Sequence, residues 1–354
     1  MVSTFILFLL PFIFLSLLDV FDYKGKSYKY IYIISCIGVL WFSSEIAGYS
    51  GDFINYRDSF ENVNSWKEYM AGSTLKGYAF EPGFLALYFL IKQCITTDGN
   101  LAVVLVVLFA GGGLLYFIPR YSRYIFIALM IYIAHFYWWL GIVLIRQMCA
   151  MILLFPIICF LREEKWKKSL IFIALAALFH ASALIFYVFL LIKRLKLFVN
   201  VRRIIILIAL AFIVGYLDIF SIVISFIVGH IPRGAVLMNY LMEGSERSVN
   251  ILAYAEILLI LFIALKYRFR LHRVNKYTGI AIEYLIFSVL IGGLFYHYEI
   301  GTRFIMYFNF YSYLILLPAF IFIFKQNLLN RILYILGLGC YLMLFLIRFV
   351  YITI

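Results

Sequence analysis

An all-α, polytopic transmembrane bundle is what this sequence predicts, and three observations predict it. Hydrophobic residues make up 66% of the 354 positions and charged residues only 13%, which leaves a water-soluble protein too little polar surface. The apolar residues run in stretches of the roughly 17–25 residues that a helix needs to cross a bilayer. Aromatic residues reach 20% and cluster, as in Phe136-Tyr137-Trp138-Trp139, in the way that suits a membrane–water interface.

Taken in order, candidate crossings fall at about 2–18, 30–47, 101–118, 124–140, 141–161, 169–192, 204–229, 250–265, 277–297, 304–324 and 332–352. Residues 83–97 add a further apolar segment, interrupted by Lys92 and Gln93. That is roughly 10–12 membrane segments, some of them re-entrant, in one integral membrane domain over residues 1–354. The first run has no basic leader and no small-residue cleavage site, so it reads as an uncleaved crossing.

Lys and Arg (30) exceed Asp and Glu (17), a net charge of +13. The excess sits in short loops, such as 193–203 and 266–276, where it signals topology beside anionic lipid and not nucleic acid. Two polar stretches interrupt the apolar pattern, Gly48–Pro82 (five acids against three bases) and the neutral His230–Asn250, and both are expected outside. Twelve full crossings would put the four bases of 162–168 outside as well. If 83–97 and 169–192 are re-entrant or broken, then 119–123, 162–168, 193–203 and 266–276 all become cytoplasmic, which the positive-inside rule favours.

Several chemistries find no support. The five cysteines form no C-x-x-C pair or His/Cys cluster, so neither disulfide nor metal is expected. Gly111-Gly112-Gly113 lacks a following Lys-Ser/Thr and lies in an apolar run, which reads as helix packing and not a phosphate loop. No nucleotide or cofactor site is legible.

Ionisable groups embedded in apolar runs are the candidate functional residues, because charge in hydrocarbon is costly. Arg146 lies about two turns into the 141–161 segment beside Gln147, and its planar fork suits phosphate oxygens; it also reads as an arginine snorkelling from a helix end. His180 is mid-way along an apolar run and is either a proton acceptor or a structural histidine bonded across helices. Asp52 and Glu81, in the first external stretch, could orient or deprotonate a hydroxyl, or be ordinary loop charges. Arg303 stands at the mouth of a late helix, as a second cation or as an interfacial anchor paired with Glu299.

In chain order these residues form a pattern: Gly48/Gly51, Asp52 and Tyr56; then Glu81-Pro82-Gly83-Phe84; Arg146-Gln147; Phe179-His180-x-Ser182-Ala183; and Arg303-x-x-x-Tyr307-Phe308 before Pro318. That pattern resembles the EpsG family of bacterial exopolysaccharide proteins, which are similar to Wzy-type polymerases of O-antigen and capsule. The resemblance covers about Gly48 to Pro318. It implies a multi-pass protein of the bacterial inner membrane that polymerises undecaprenyl-diphosphate-linked repeat units at the outer face. The lipid diphosphate is then the leaving group, and no nucleotide sugar or cofactor is needed. Arg146 and Arg303 are the implied stabilisers of diphosphate charge. Asp52, Glu81 and His180 are the candidates to orient or deprotonate the acceptor, and Tyr56, Gln147 and Tyr307 the candidates for substrate contact. The implied partners are the lipid-linked glycan, membrane lipids, a chain-length regulator and a flippase. Two other functions fit embedded charges: a flippase of the same lipid-linked sugar, which should carry a repeat relating its halves that this chain lacks, and a membrane O-acyltransferase.

Overall fold

The computed structural model describes residues 2–49, 51–62, 80–198, 200–219, 251–298, 300–324 and 327–353. Every regular element among them is helical. Among the described residues, five helices are long and apolar enough to cross a membrane: Lys26–Ile46, Gly99–Tyr121, Ile145–Arg162, Ile300–Phe324 and Leu328–Ile347. Shorter apolar helices accompany them, and the protein is a polytopic helical membrane protein. The expected loop at His230–Asn250, and residues 63–79 of the first polar stretch, lie outside the described residues. The chain gathers into two compact units, Met1–Leu184 with Leu317–Ile354, and Ile185–Leu316.

In the first unit, α1 (Val2–Val20) packs on α6 (Ile125–Ile131) and on α15 (Leu328–Thr353). Buried Asp19, at the end of α1, accepts hydrogen bonds from the amides of Phe126 (2.8 Å) and Ile127 (2.9 Å) and from the Tyr28 hydroxyl. It thereby satisfies two of the amides that the start of α6 leaves open. α5 (Gly99–Tyr121) lies between α2 (Lys26–Ile46) and α7 (Ile145–Arg162). Its glycines allow this: a Cβ on Gly111 would lie 3.0 Å from Leu40 of α2, and one on Gly113 2.6 Å from Ile152 of α7. Without a hydrophobic force between helices in lipid, such close backbone approach supplies the packing.

Three elements depart from long regular helices, and they position the site. Part of the polar stretch expected as loop forms α3 (Gly51–Asn62). Segment 83–97 forms only α4 (Pro82–Cys94), and its 13 residues rise about 20 Å, short of a hydrocarbon core of about 30 Å. The run 169–192 is broken, as the charge parity favours: α8 (Trp166–Ala177) stops, Ala181–Leu184 is a 3₁₀ turn, and α9 (Ile185–Arg194) begins the second unit.

The second unit holds α9, α10 (Val201–Tyr216), α11 (Ile251–Lys266), α12 (Arg268–Val274), α13 (Thr278–Leu294) and most of α14 (Ile300–Phe320). Helices α10, α11 and α12 all pack on α13. Phe186, Tyr284, Phe308 and Tyr311 form an aromatic core, with Phe186 stacked on Phe308 at 4.4 Å between ring centres.

Candidate functional site

Arg146 is the second residue of α7, not two turns into a helix as the sequence suggests. The reason is that the preceding helix continues further than its composition indicates. Residues Tyr132–Phe136 and Trp139–Val143 adopt the wider π-helical winding, so the chain keeps its helical path to Val143. It breaks only at Leu144 (φ −98°, ψ 50°). Such π segments are uncommon and often mark functional positions. Here they deliver the guanidinium to the start of an 18-residue helix. A cation at this end opposes the helix dipole, so Arg146 needs an anion beside it.

Glu81 is that anion. Its Oε2 accepts from Arg146 Nη1 at 2.6 Å, and its Oε1 accepts from the backbone amide of Ala181 at 3.1 Å and lies 2.9 Å from Nδ1 of His180. The local sequence explains the placement. Pro82, at the first position of α4, holds the preceding residue extended, and Glu81 sits at φ −68°, ψ 149°. Gly83 then donates its amide to the Leu178 carbonyl at 2.7 Å. A Cβ on Gly83 would lie 2.8 Å from that oxygen, so only glycine lets α4 meet the turn that carries His180.

Burial alone would raise the Glu81 carboxyl. The hydrogen bond to His180 and the positive charge of Arg146 outweigh it and hold the group at about 2, below its usual 4.5. Glu81 is therefore an anion at neutral pH, and Nδ1 of His180 must be the protonated ring nitrogen that donates to it. In the neutral ring Nε2 is left as an acceptor. The three side chains keep some access, with 14% of Glu81, 21% of Arg146 and 13% of His180 exposed. Arg146 lies over the Phe80 ring at 4.5 Å from its centre, and its Nε–H is buried without a hydrogen-bond partner among the described residues. A semi-buried cation at a helix N-terminus is suited to an anionic ligand.

The remaining candidates divide by position. Tyr56 is buried, with its hydroxyl 3.4 Å from the Val143 carbonyl and its ring 5.6 Å from that of Phe80. It belongs to the wall behind Arg146. Asp52 is one helical turn earlier on α3, partly buried. Gln147 follows Arg146 and is buried. Arg303 and Tyr307 belong to the second unit, in the first two turns of α14. Arg303 is partly buried, and Glu299, its suggested partner, lies outside the described residues. Tyr307 is fully buried and edge-on to Phe186 at 5.9 Å. Nothing in the sequence marks Phe80 or the role of Gly83. The Glu-Pro-Gly string was visible, but the turn it approaches, about a hundred residues later, was not.

The sequence model of the EpsG family matches residues 29–354. No curated protein and no solved structure matches the chain. With the family model spanning nearly the whole helical chain, the protein belongs to the EpsG family and is a membrane protein of the polysaccharide polymerase type.

Proposed function

We propose that the protein joins undecaprenyl-diphosphate-linked oligosaccharide repeat units into a surface polysaccharide, as a lipid-diphosphate-dependent glycosyltransferase at the outer face of the bacterial inner membrane. The observation that carries this reading is one carboxylate holding both an arginine at a helix start and Nδ1 of a histidine, so that Nε2 is the acceptor nitrogen of the neutral ring. The acceptor sugar hydroxyl gives its proton to Nε2 of His180 as its oxygen attacks C1 of the donor. The C1–O bond breaks, and the electron pair leaves with the lipid diphosphate. Arg146 and the first amides of α7 stabilise the charge that develops there. Glu81 is a positioning residue in this scheme: at about 2 it is a weak base, but it fixes the histidine tautomer, as a carboxylate does in a catalytic triad.

Orientation supports the outer face. α7 and α8 pack along each other and are joined by Glu163–Lys165, an antiparallel pair with Arg162, Lys165, Lys167 and Lys168 at one end. Arg146 lies at the far end of α7, about 25 Å away by helical rise, and His180 follows the far end of α8. A cytoplasmic basic loop therefore puts the cluster on the opposite side.

The experiment that tests the function is surface-glycan length in the host strain, compared by gel for deletion, wild type and Arg146→Ala at matched protein level. Single repeat units in the deletion and in Arg146→Ala, against a wild-type ladder, are expected. Loss of all surface glycan on deletion would make the protein an exporter, and an unchanged ladder would rule out both.

A further inference from the structure

The basic segment Lys266–Lys276 plays no part in the cluster above. It holds five Lys and Arg and no Asp or Glu, and it folds as the end of α11, the short α12 and a turn in which the Asn275 side chain accepts from the Tyr277 amide at 2.9 Å. On α12, Leu271 and Val274 are buried, whereas Arg268, His272 and Arg273 are exposed. Phe269 keeps 73% of its surface open, and the Arg268 guanidinium lies over its ring at 4.7 Å. An exposed aromatic ring among bases is the composition of a helix lying at the headgroup level of a bilayer.

Beside α12 is a cavity of about 460 Å³, within the roughly 300–1,000 Å³ typical of small-molecule sites. Ile204, Ile282 and Ile286 contribute its apolar lining, and Arg268, His272 and Arg273 its cationic lining. Glu283 also lines it, but its carboxylate is paired with Lys193, so the two arginines are not neutralised by the wall. A free anion would use the arginines and leave the apolar surface uncovered. A neutral apolar molecule would leave the arginines uncompensated. A ligand with a phosphate at one end and hydrocarbon at the other satisfies both.

We propose that this cavity binds one anionic glycerophospholipid of the cytoplasmic leaflet, its phosphate held by Arg268 and Arg273 and an acyl chain lying along Ile204, Ile282 and Ile286. Guanidinium forks match phosphate oxygens in pairs, and basic pockets between membrane helices on the cytoplasmic side are where acidic headgroups collect. The proposal does not depend on the polymerase reading.

The test uses the full-length protein in nanodiscs of equal phosphatidylglycerol and phosphatidylcholine, with bound lipid counted by native mass spectrometry. Wild type is expected to retain phosphatidylglycerol in preference. The double substitution Arg268→Gln/Arg273→Gln is expected to weaken retention about thirtyfold. Ile282→Trp, which fills the cavity and leaves both arginines, is expected to lose the lipid as well; it keeps the test decisive if the double variant fails to fold. Equal retention of the two lipids by wild type would overturn the proposal, as would unchanged retention in both variants. Displacement of the lipid by millimolar inorganic phosphate would reduce the site to an anion site and also overturn it. So would retention of an isoprenyl phosphate where phosphatidylglycerol is not held.

Discussion

At the scale of the residue, Glu81 decides what its neighbours can do. Its folded-state value near 2, against 4.5 ordinarily, means that its contribution to stability is complete above pH 4.5 and is lost as pH falls toward 2. Glu81→Gln should therefore lower the unfolding temperature in detergent at pH 7, through a loss on the order of 3 kcal/mol, and the gap from wild type should close at low pH. A gap independent of pH would mean that the carboxylate's charge is not what holds the cluster. For His180 the informative change is His180→Asn, which keeps an N–H to offer Glu81 but has no basic nitrogen. Stability should be close to wild type while polymerisation falls about 10²–10⁴-fold, the usual worth of a general base. Full activity in this variant would make the histidine structural. Arg146→Ala, with its charge-stabilising role, should cost about 10²–10³-fold in rate, read as single repeat units on the gel.

At the scale of the element, the site rests on irregularities: a helix of 13 residues, a break after Ala177, and two π-wound stretches before Leu144. Gly83 is where two of these meet. Gly83→Ala would put a methyl group against the Leu178 carbonyl and force α4 away from the turn. Shorter glycan at normal protein level is the expected result, and wild-type length would show that the approach is dispensable. How legible these elements were follows from their physics. The broken run 169–192 could be inferred, because the positive-inside rule constrains where loops lie. Arg146 and His180 stood out, because an ionisable group in an apolar run carries an energetic cost. The start of α7 was misplaced by a few residues, because Gly141 is the visible break in the sequence whereas the winding continues through it to Val143. The same holds for Asp19: at the end of an apolar run it looks like an interfacial charge, and only the folded chain brings the amides of Phe126 and Ile127 to it.

At the scale of the whole molecule, the prediction concerns sidedness. In a background lacking the five natural cysteines, Lys165→Cys and Arg123→Cys should resist an impermeant maleimide in intact spheroplasts and react after permeabilisation. Direct labelling of Lys165→Cys would put its loop outside and the Glu81 cluster on the cytoplasmic side, where an outer-face polymerase could not use it. The class of fold was plain from apolar run lengths, and the family from a handful of spaced residues. The division into two units was not, since the boundary between Leu184 and Ile185 falls within the apolar run 169–192, with no polar linker there to mark it.

The bond between Glu81 and His180 spans 99 positions of the chain, and this distance becomes a delay when the protein is made. Translation at roughly 5–20 residues per second separates the appearance of the two by about 5–20 s. For about the first two-thirds of that interval the carboxylate has neither partner, because Arg146 follows it by 65 positions; for the remainder it lacks His180. A bare carboxylate cannot settle into hydrocarbon, so α4 must wait near water while the next helices are inserted. A nascent chain arrested before His180 should therefore leave Glu81 open to solvent, and the last step of assembly is the one that creates the site.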